Sequence, residues 1–213
     1  EDTSNKSKNG RVNIVAGSEG MWGASQLACK GAFRVGAGYV KLINQDDLTA
    51  VGGDIPDVLT HQIGSVSDIE IDGSFVVGPG LGVGPRSESV IRYLYENKAE
   101  NVVLDADALT TMATLNLTDL PNTWVLTPHS GEMSRLIGIS SEEVDEDRIR
   151  AVQICREKFG GQVMLKGYKT LLCSEAGIDI INSGNSALAT AGTGDVLSGM
   201  IGGFLAQGLA TNE

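Results

Sequence analysis

The residues best placed to do chemistry lie near the end of the chain, in "ATAGTGDVLSGM" (Ala189–Met200). Gly192, Thr193, Gly194 and Asp195 stand directly before apolar residues at helical spacing. Free N–H groups at a helix N-terminus attract phosphate, and a carboxylate in the same place repels it. Two readings of Asp195 follow. It is an ordinary helix cap, or it is a base that accepts the proton of a hydroxyl attacking a phosphoryl group, with the Gly192–Gly194 amides stabilising the moving charge. The helical face beyond it (Val196, Leu197, Met200, Ile201, Phe204, Leu205) is interrupted by Gly199, Gly202 and Gly203. Each costs about 1 kcal/mol relative to alanine, which predicts a helix whose backbone presses closely on its neighbours.

The elements that must position these residues alternate. "RVNIVAG", "GYVKLIN", "SFVVG", "VVLD" and "WVLT" are short apolar runs that read as buried strands. Between them, 23–35 carries Ala24, Leu27, Ala28, Gly31, Ala32 and Val35 at helical spacing, and "SESVIRYLYENK" places Val90, Ile91, Leu94 and Tyr95 on one side. Ser140 and Glu143 form a capping box before a helix that includes Val152, Cys155 and Phe159. "QVMLK", "TLLCS" and "IDIIN" then read as a cluster of strands. The pattern predicts one α/β domain over 1–213, with a mainly parallel sheet, helices on both faces and an antiparallel edge. In such sheets ligands bind beyond the carboxyl ends of the strands. Six polar or glycine-rich segments fall there: "GSEGMWGA", "GPGLG", "DADAL", "TPHSGE", "KGYKT" and "AGTGD". One crevice collecting all six points to a small-molecule enzyme.

Composition narrows the classes. The 213 residues carry a net charge of −11, which argues against nucleic-acid binding. The 28 glycines cluster at turns rather than in repeats, consistent with bends and close ligand approach. Cys29, Cys155 and Cys173 are widely spaced and, with only two histidines, predict buried thiols of a cytoplasmic protein rather than a zinc site. No apolar run approaches the roughly 20 residues of a membrane span, and the polar opening is unlike a signal peptide. Neither a P-loop nor a complete G-x-G-x-x-G is present.

In this order the six segments resemble the NAD(P)H-hydrate dehydratases of the ribokinase-like superfamily, from about Gly10 to the C-terminus. "TPHSGE" is the discriminating piece, because superfamily sugar and vitamin kinases more often carry Asn where His129 stands. The resemblance implies repair of hydrated NADH or NADPH (NADHX, NADPHX, S epimer). The hydroxyl is phosphorylated from ADP or ATP with Mg²⁺, and phosphate is eliminated. It implies Asp195 as base within Gly192, Thr193 and Gly194, and Ala24, Gly80 and His129 against the substrate. Lys166, Gly167, Tyr168, Lys169 and Thr170, with Gly194, match the nucleotide-holding segment. Glu132 matches an acidic residue that organises Mg²⁺ through water; a first-turn helix acid is the equal alternative. Asp105 and Asp107 are weaker candidates, and His61 reads as structural.

The resemblance further implies a homo-oligomer, an NAD(P)H-hydrate epimerase fused or separate, and further helices beyond Glu213. It departs from the family at "NKSKNG", where Asn5 and Ser7 replace the family's His and Gly. Two alternatives are kept apart by their products: a small-molecule kinase of the same superfamily leaves a stable phosphate ester, and a non-catalytic nucleotide-binding module leaves none.

Overall fold

The computed structural model describes residues 8–47, 57–115 and 117–210. Asn5 and Ser7 lie outside them. Alternate strand residues point to opposite faces of a sheet, and here both sets are apolar. Val12, Ile14, Val40, Leu42, Val76, Val103 and Val125 fill one face. Val15, Ile43, Phe75, Val77, Val102, Leu104, Trp124 and Leu126 fill the other.

The strands are β1 (Arg11–Val15), β2 (Tyr39–Asn44), β3 (Leu59–Gln62), β4 (Ser74–Val77), β5 (Val102–Leu104), β6 (Leu120–Leu126), β7 (Gly160–Leu165), β8 (Thr170–Ser174) and β9 (Gly177–Ile181). They form one sheet in the order β3-β2-β1-β4-β5-β6-β7-β8-β9. Pairing is parallel from β3 to β7, and antiparallel between β7, β8 and β9. The order reverses between β1 and β4, which makes the carboxyl ends of those two strands the switch point where ligands bind in such folds.

Helices α1 (Trp22–Arg34) and α7 (Thr193–Ala206) cover the first face. The second carries α2 (Pro85–Glu96), α3 (Asp107–Met112), α4 (Ser130–Ile137), α5 (Ser141–Glu146) and α6 (Arg148–Phe159). The α7 glycines act as the sequence predicts. A Cβ on Gly199 would stand 1.9 Å from the Ala28 carbonyl oxygen, and one on Gly202 would stand 2.4 Å from a Val76 methyl. Gly31 returns the fit from α1, where a Cβ would meet the Val196 carbonyl oxygen at 2.3 Å. Close approach of this kind packs α7 against the backbone of α1 and onto the sheet.

Three features differ from the sequence reading. The capping box at Ser140 opens only α5; Asp147 ends that helix and its side chain accepts from the Arg150 N–H, starting α6 separately. β3 has no strong apolar signal because it pairs only with β2 at the sheet edge and is largely exposed. β6 begins four residues before Trp124, across a register irregularity between Leu120 and Val125. Cys29, Cys155 and Cys173 are free and buried, as expected. Burial pushes the thiols of Cys29 and Cys155 up to about 12, so neither is a nucleophile at neutral pH.

Candidate active site

Asp195 is the third residue of α7, and the cap position belongs to Gly192 at φ +86°, with no side chain capping the helix. The reading of Asp195 as an ordinary cap is therefore wrong. Gly192 holds a left-handed conformation in which a Cβ would lie 2.5 Å from Leu27 Cδ1. Thr193 turns inward to the preceding loop, its hydroxyl donating to the Thr190 carbonyl at 2.9 Å. Gly194 lies against charge: a Cβ there would stand 3.4 Å from Lys166 Nζ and 3.8 Å from Asp105 Oδ2.

Those two side chains form the floor of the site. Lys166, at the end of β7, donates from Nζ to Asp105 Oδ1 at 2.6 Å and reaches Glu132 Oε2 at 3.8 Å. Asp105, just beyond β5, is 1% exposed, and its other oxygen accepts from Ser198 on the second turn of α7. The Ser198 hydroxyl also lies 2.8 Å from the Gly194 carbonyl. One carboxylate therefore ties a strand end, a lysine and α7 together. Asp105 is far more central than its weak sequence standing implied, and Ser198 was missed altogether. Its only sequence signal is a small polar residue one turn after Gly194.

Asp195 feels this centre. Burial, and then the negative charge of Asp105, raise its pKa to about 6, with Lys166 opposing and Asp107 and Glu132 adding to the rise. A carboxyl so poised is ionised at neutral pH yet unusually basic, which suits a general base.

Glu132 is buried in the first turn of α4, where its Oε2 accepts the His129 main-chain N–H at 2.8 Å. His129 caps that helix through Nδ1, which accepts from the Gly131 N–H at 3.0 Å, while its ring stays 57% exposed. Both motif residues thus form a capping box. Among the described residues no group of three or more His, Cys, Asp or Glu could hold a metal ion unaided.

Ala24 and Gly80 meet at the switch point. A Cβ on Gly80, at φ +62°, would stand 3.2 Å from the Ala24 methyl. The Ser18 hydroxyl donates to the Gly80 carbonyl at 2.8 Å, and the Gly17 N–H to the Pro79 carbonyl at 2.8 Å. Asp107 closes this loop by accepting the Gly82 N–H at 2.9 Å. Beside it, Arg86 forms a two-pronged ion pair with Asp46 at 2.7 and 2.8 Å, a pair the sequence does not signal.

The "KGYKT" segment divides. The Lys166 N–H donates to the Pro128 carbonyl at 2.8 Å, joining "KGYKT" to "TPHSGE", and its ammonium lies in the acidic centre. Gly167, Tyr168, Lys169 and Thr170 form an open turn into β8, with Tyr168 84% exposed and the Thr170 hydroxyl donating to the Gly167 carbonyl at 3.0 Å.

A profile of the NAD(P)H-hydrate dehydratase family matches residues 12–213. The chain belongs to that family. It is 40% identical over 220 residues to an ADP-dependent (S)-NAD(P)H-hydrate dehydratase of Neisseria meningitidis, covering all of this chain and 74% of that protein. It is 38% identical over 211 residues to a bifunctional NAD(P)H-hydrate repair enzyme of Coxiella burnetii, covering 96% of this chain. Of that relative's length the chain spans 43%. Among solved structures, a Bacillus subtilis ADP/ATP-dependent NAD(P)H-hydrate dehydratase co-crystallised with ATP and Mg²⁺ superposes with a TM-score of 0.83 at 29% identity. That likeness covers 97% of this chain and 76% of the other. The fold is ribokinase-like, as the motif order implied.

Proposed function

We propose that this chain dehydrates the S epimer of hydrated NADH or NADPH, using ADP or ATP as phosphoryl donor. The observation that carries the reading is Asp195 itself: a carboxyl of raised proton affinity, set in an uncapped first helical turn beside Gly194 and Lys166. Asp195 takes the hydroxyl proton as that oxygen bonds to the phosphoryl phosphorus and the nucleotide's bridging oxygen leaves with the P–O electron pair. The amides around Gly192–Gly194 and the Lys166 ammonium counter the charge on the transferring group. Phosphate then departs with the C–O electron pair, the neighbouring ring carbon gives its proton to solvent, and that C–H electron pair restores the dihydronicotinamide double bond. Hydroxide leaves poorly and phosphate leaves well, which is why the reaction needs a donor.

The hydrated dinucleotide takes the switch-point crevice at Ala24 and Gly80, where small residues let the protein backbone approach the ligand, and contacts His129. The nucleotide takes Gly167–Thr170 and Gly194. The donor set fits Mg²⁺, an ion that keeps its waters and needs few protein ligands when phosphates bind it. Glu132, whose Oε2 accepts the His129 N–H and whose Oε1 lies 3.5 Å from His129 Nε2, would hold it through water. When bound, that ion neutralises phosphate charge. Our reading extends to a cytoplasmic homo-oligomer that works with an NAD(P)H-hydrate epimerase, fused or separate. No helix among the described residues is long and apolar enough to cross a membrane.

The test is incubation with hydrated NADH, Mg²⁺ and either nucleotide, followed by the absorbance of reduced nicotinamide and by phosphate release. Both should rise together. A stable phosphate ester in place of free phosphate would show a kinase instead.

A further inference from the structure

Arg148 opens α6, and a positive side chain in a first helical turn works against the helix dipole. Among the described residues its guanidinium forms no ion pair, in a chain with 27 acidic and 16 basic residues. It is spent on main chain. Nη2 donates to the carbonyls of Leu165 at 3.1 Å and Lys166 at 3.2 Å, and Nη1 to those of Tyr168 and, at 3.4 Å, Lys169. Nearly every carbonyl of the β7–β8 turn is thus collected by one side chain. Gly167, at φ +140°, is shaped to it: a Cβ there would stand 3.1 Å from Nη2.

Two consequences bear on a ligand. The N–H groups of Gly167, Tyr168 and Lys169 have no main-chain acceptor among the described residues, while the carbonyls that would repel an anion are occupied. An uncancelled positive charge also sits behind the turn, in a protein of net charge −11. Successive free N–H groups backed by positive charge suit a phosphorylated ligand.

We propose that Arg148 is the positioning residue of the nucleotide turn: it holds Gly167–Thr170 in the shape that receives ADP or ATP, without touching the reacting atoms. This rests on the reading that the turn takes nucleotide. A lysine cannot replace it fully, because an ammonium is a point charge with three donors and no planar fork to span four carbonyls.

The experiment measures binding to the intact chain by titration calorimetry. The probes are ADP with Mg²⁺ and, separately, hydrated NADPH without nucleotide. Arg148→Met should weaken ADP about tenfold or more, the equivalent of about one charge-assisted hydrogen bond. Arg148→Lys should recover part of that loss, and both variants should bind hydrated NADPH within about twofold of wild type because the switch-point crevice is unaltered. In turnover, KM for nucleotide should rise far more than kcat falls. ADP affinity unchanged in both variants overturns the assignment, and so does an equal loss for both ligands. If Arg148→Met does not fold, Arg148→Lys, checked by thermal melting, decides alone. Failure of the wild-type chain to bind ADP overturns both this inference and the nucleotide reading. A chain that binds ADP, is weakened selectively by the Arg148 variants, and never turns over hydrated NADPH upholds this inference and overturns the dehydratase.

Discussion

The centre beneath α7 and the turn between β7 and β8 are neighbours joined by Lys166, yet they are held in different ways. In the centre, Asp105, Lys166, Glu132 and Ser198 come from four separate elements and are linked by side-chain hydrogen bonds and ion pairs around the buried Asp105. The turn is fixed as main chain, by one guanidinium beneath it and one hydroxyl within it, with Tyr168 open to solvent. A site that moves charge needs side chains whose positions and proton affinities are set by burial. A site that grips a ligand needs only the right backbone shape. Damage to the first should therefore appear in rate and in fold stability, and damage to the second in affinity.

The largest expected effect belongs to Asp195. Asp195→Asn should lower turnover by about 10²–10⁴, the usual worth of general acid–base catalysis, while nucleotide affinity holds or improves as a negative charge leaves the phosphate site. A variant with near-wild-type rate on hydrated NADH would break the contrast at its strongest point. In the wild type, kcat/KM should lose its plateau as pH falls through about 6, where Asp195 takes up its proton, rather than near 4.

Asp105 tests whether the centre also holds the fold. Asp105→Asn leaves Lys166 with only the more distant Glu132 and weakens the tie to Ser198. Breaking a buried pair typically costs several kcal/mol, so urea melts should show a loss of about 3 kcal/mol. The acid limb of kcat/KM should also move partway to lower pH: burial, the main cause of the raised Asp195 pKa, remains, but the Asp105 charge that comes second is gone. Normal stability with an unmoved limb would show that Asp105 is a bystander.

Thr170 probes the other region. Thr170→Val removes the hydroxyl that closes the turn onto the Gly167 carbonyl. Nucleotide binding should weaken about three- to tenfold, as for one ordinary hydrogen bond, and binding of hydrated NADPH should be unchanged. Equal loss of both ligands would remove the distinction between the turn and the crevice.

How far each region was legible in the sequence follows the same division. "AGTGD", "GPGLG" and "KGYKT" are local signals, since glycines at strand ends state a backbone requirement by themselves. The parallel sheet was legible because strands buried on both faces read as continuous apolar runs, and its antiparallel edge, where β9 is largely exposed, was legible only as a late cluster of strands with no helix between them. Asp105 was not, because its importance lies in Lys166, 61 residues away, and Ser198, 93 residues away. Arg148 left no trace, since an arginine after an acidic helix looks like any solvated surface charge. The split of α5 from α6 was hidden for a related reason: Asp147 reads as one more acid in "SEEVDEDR" until its cap bond is seen.

The smallest predicted effect uses Asp195→Asn again, now as a measure of what this carboxylate costs the fold. The native pKa of about 6 exceeds the ordinary 3.8, so the folded protein holds this proton more tightly than the unfolded chain does. Ionising Asp195 therefore destabilises the fold, with a penalty that grows as pH rises from about 4 and is complete above about 6. Each displaced pKa unit corresponds to about 1.4 kcal/mol, and screening at a half-buried site reduces the total to about 1 kcal/mol. Asparagine carries no such penalty. The variant should thus be more stable than wild type by about 1 kcal/mol at pH near 8, with the gap closing toward pH 4. Urea melts at a series of pH values read this directly. A variant less stable than wild type at pH 8 would mean that Asp195 is held by favourable contacts and was never strained toward the proton. Greater stability with lost turnover is the signature of a carboxylate kept for its chemistry at the expense of the fold.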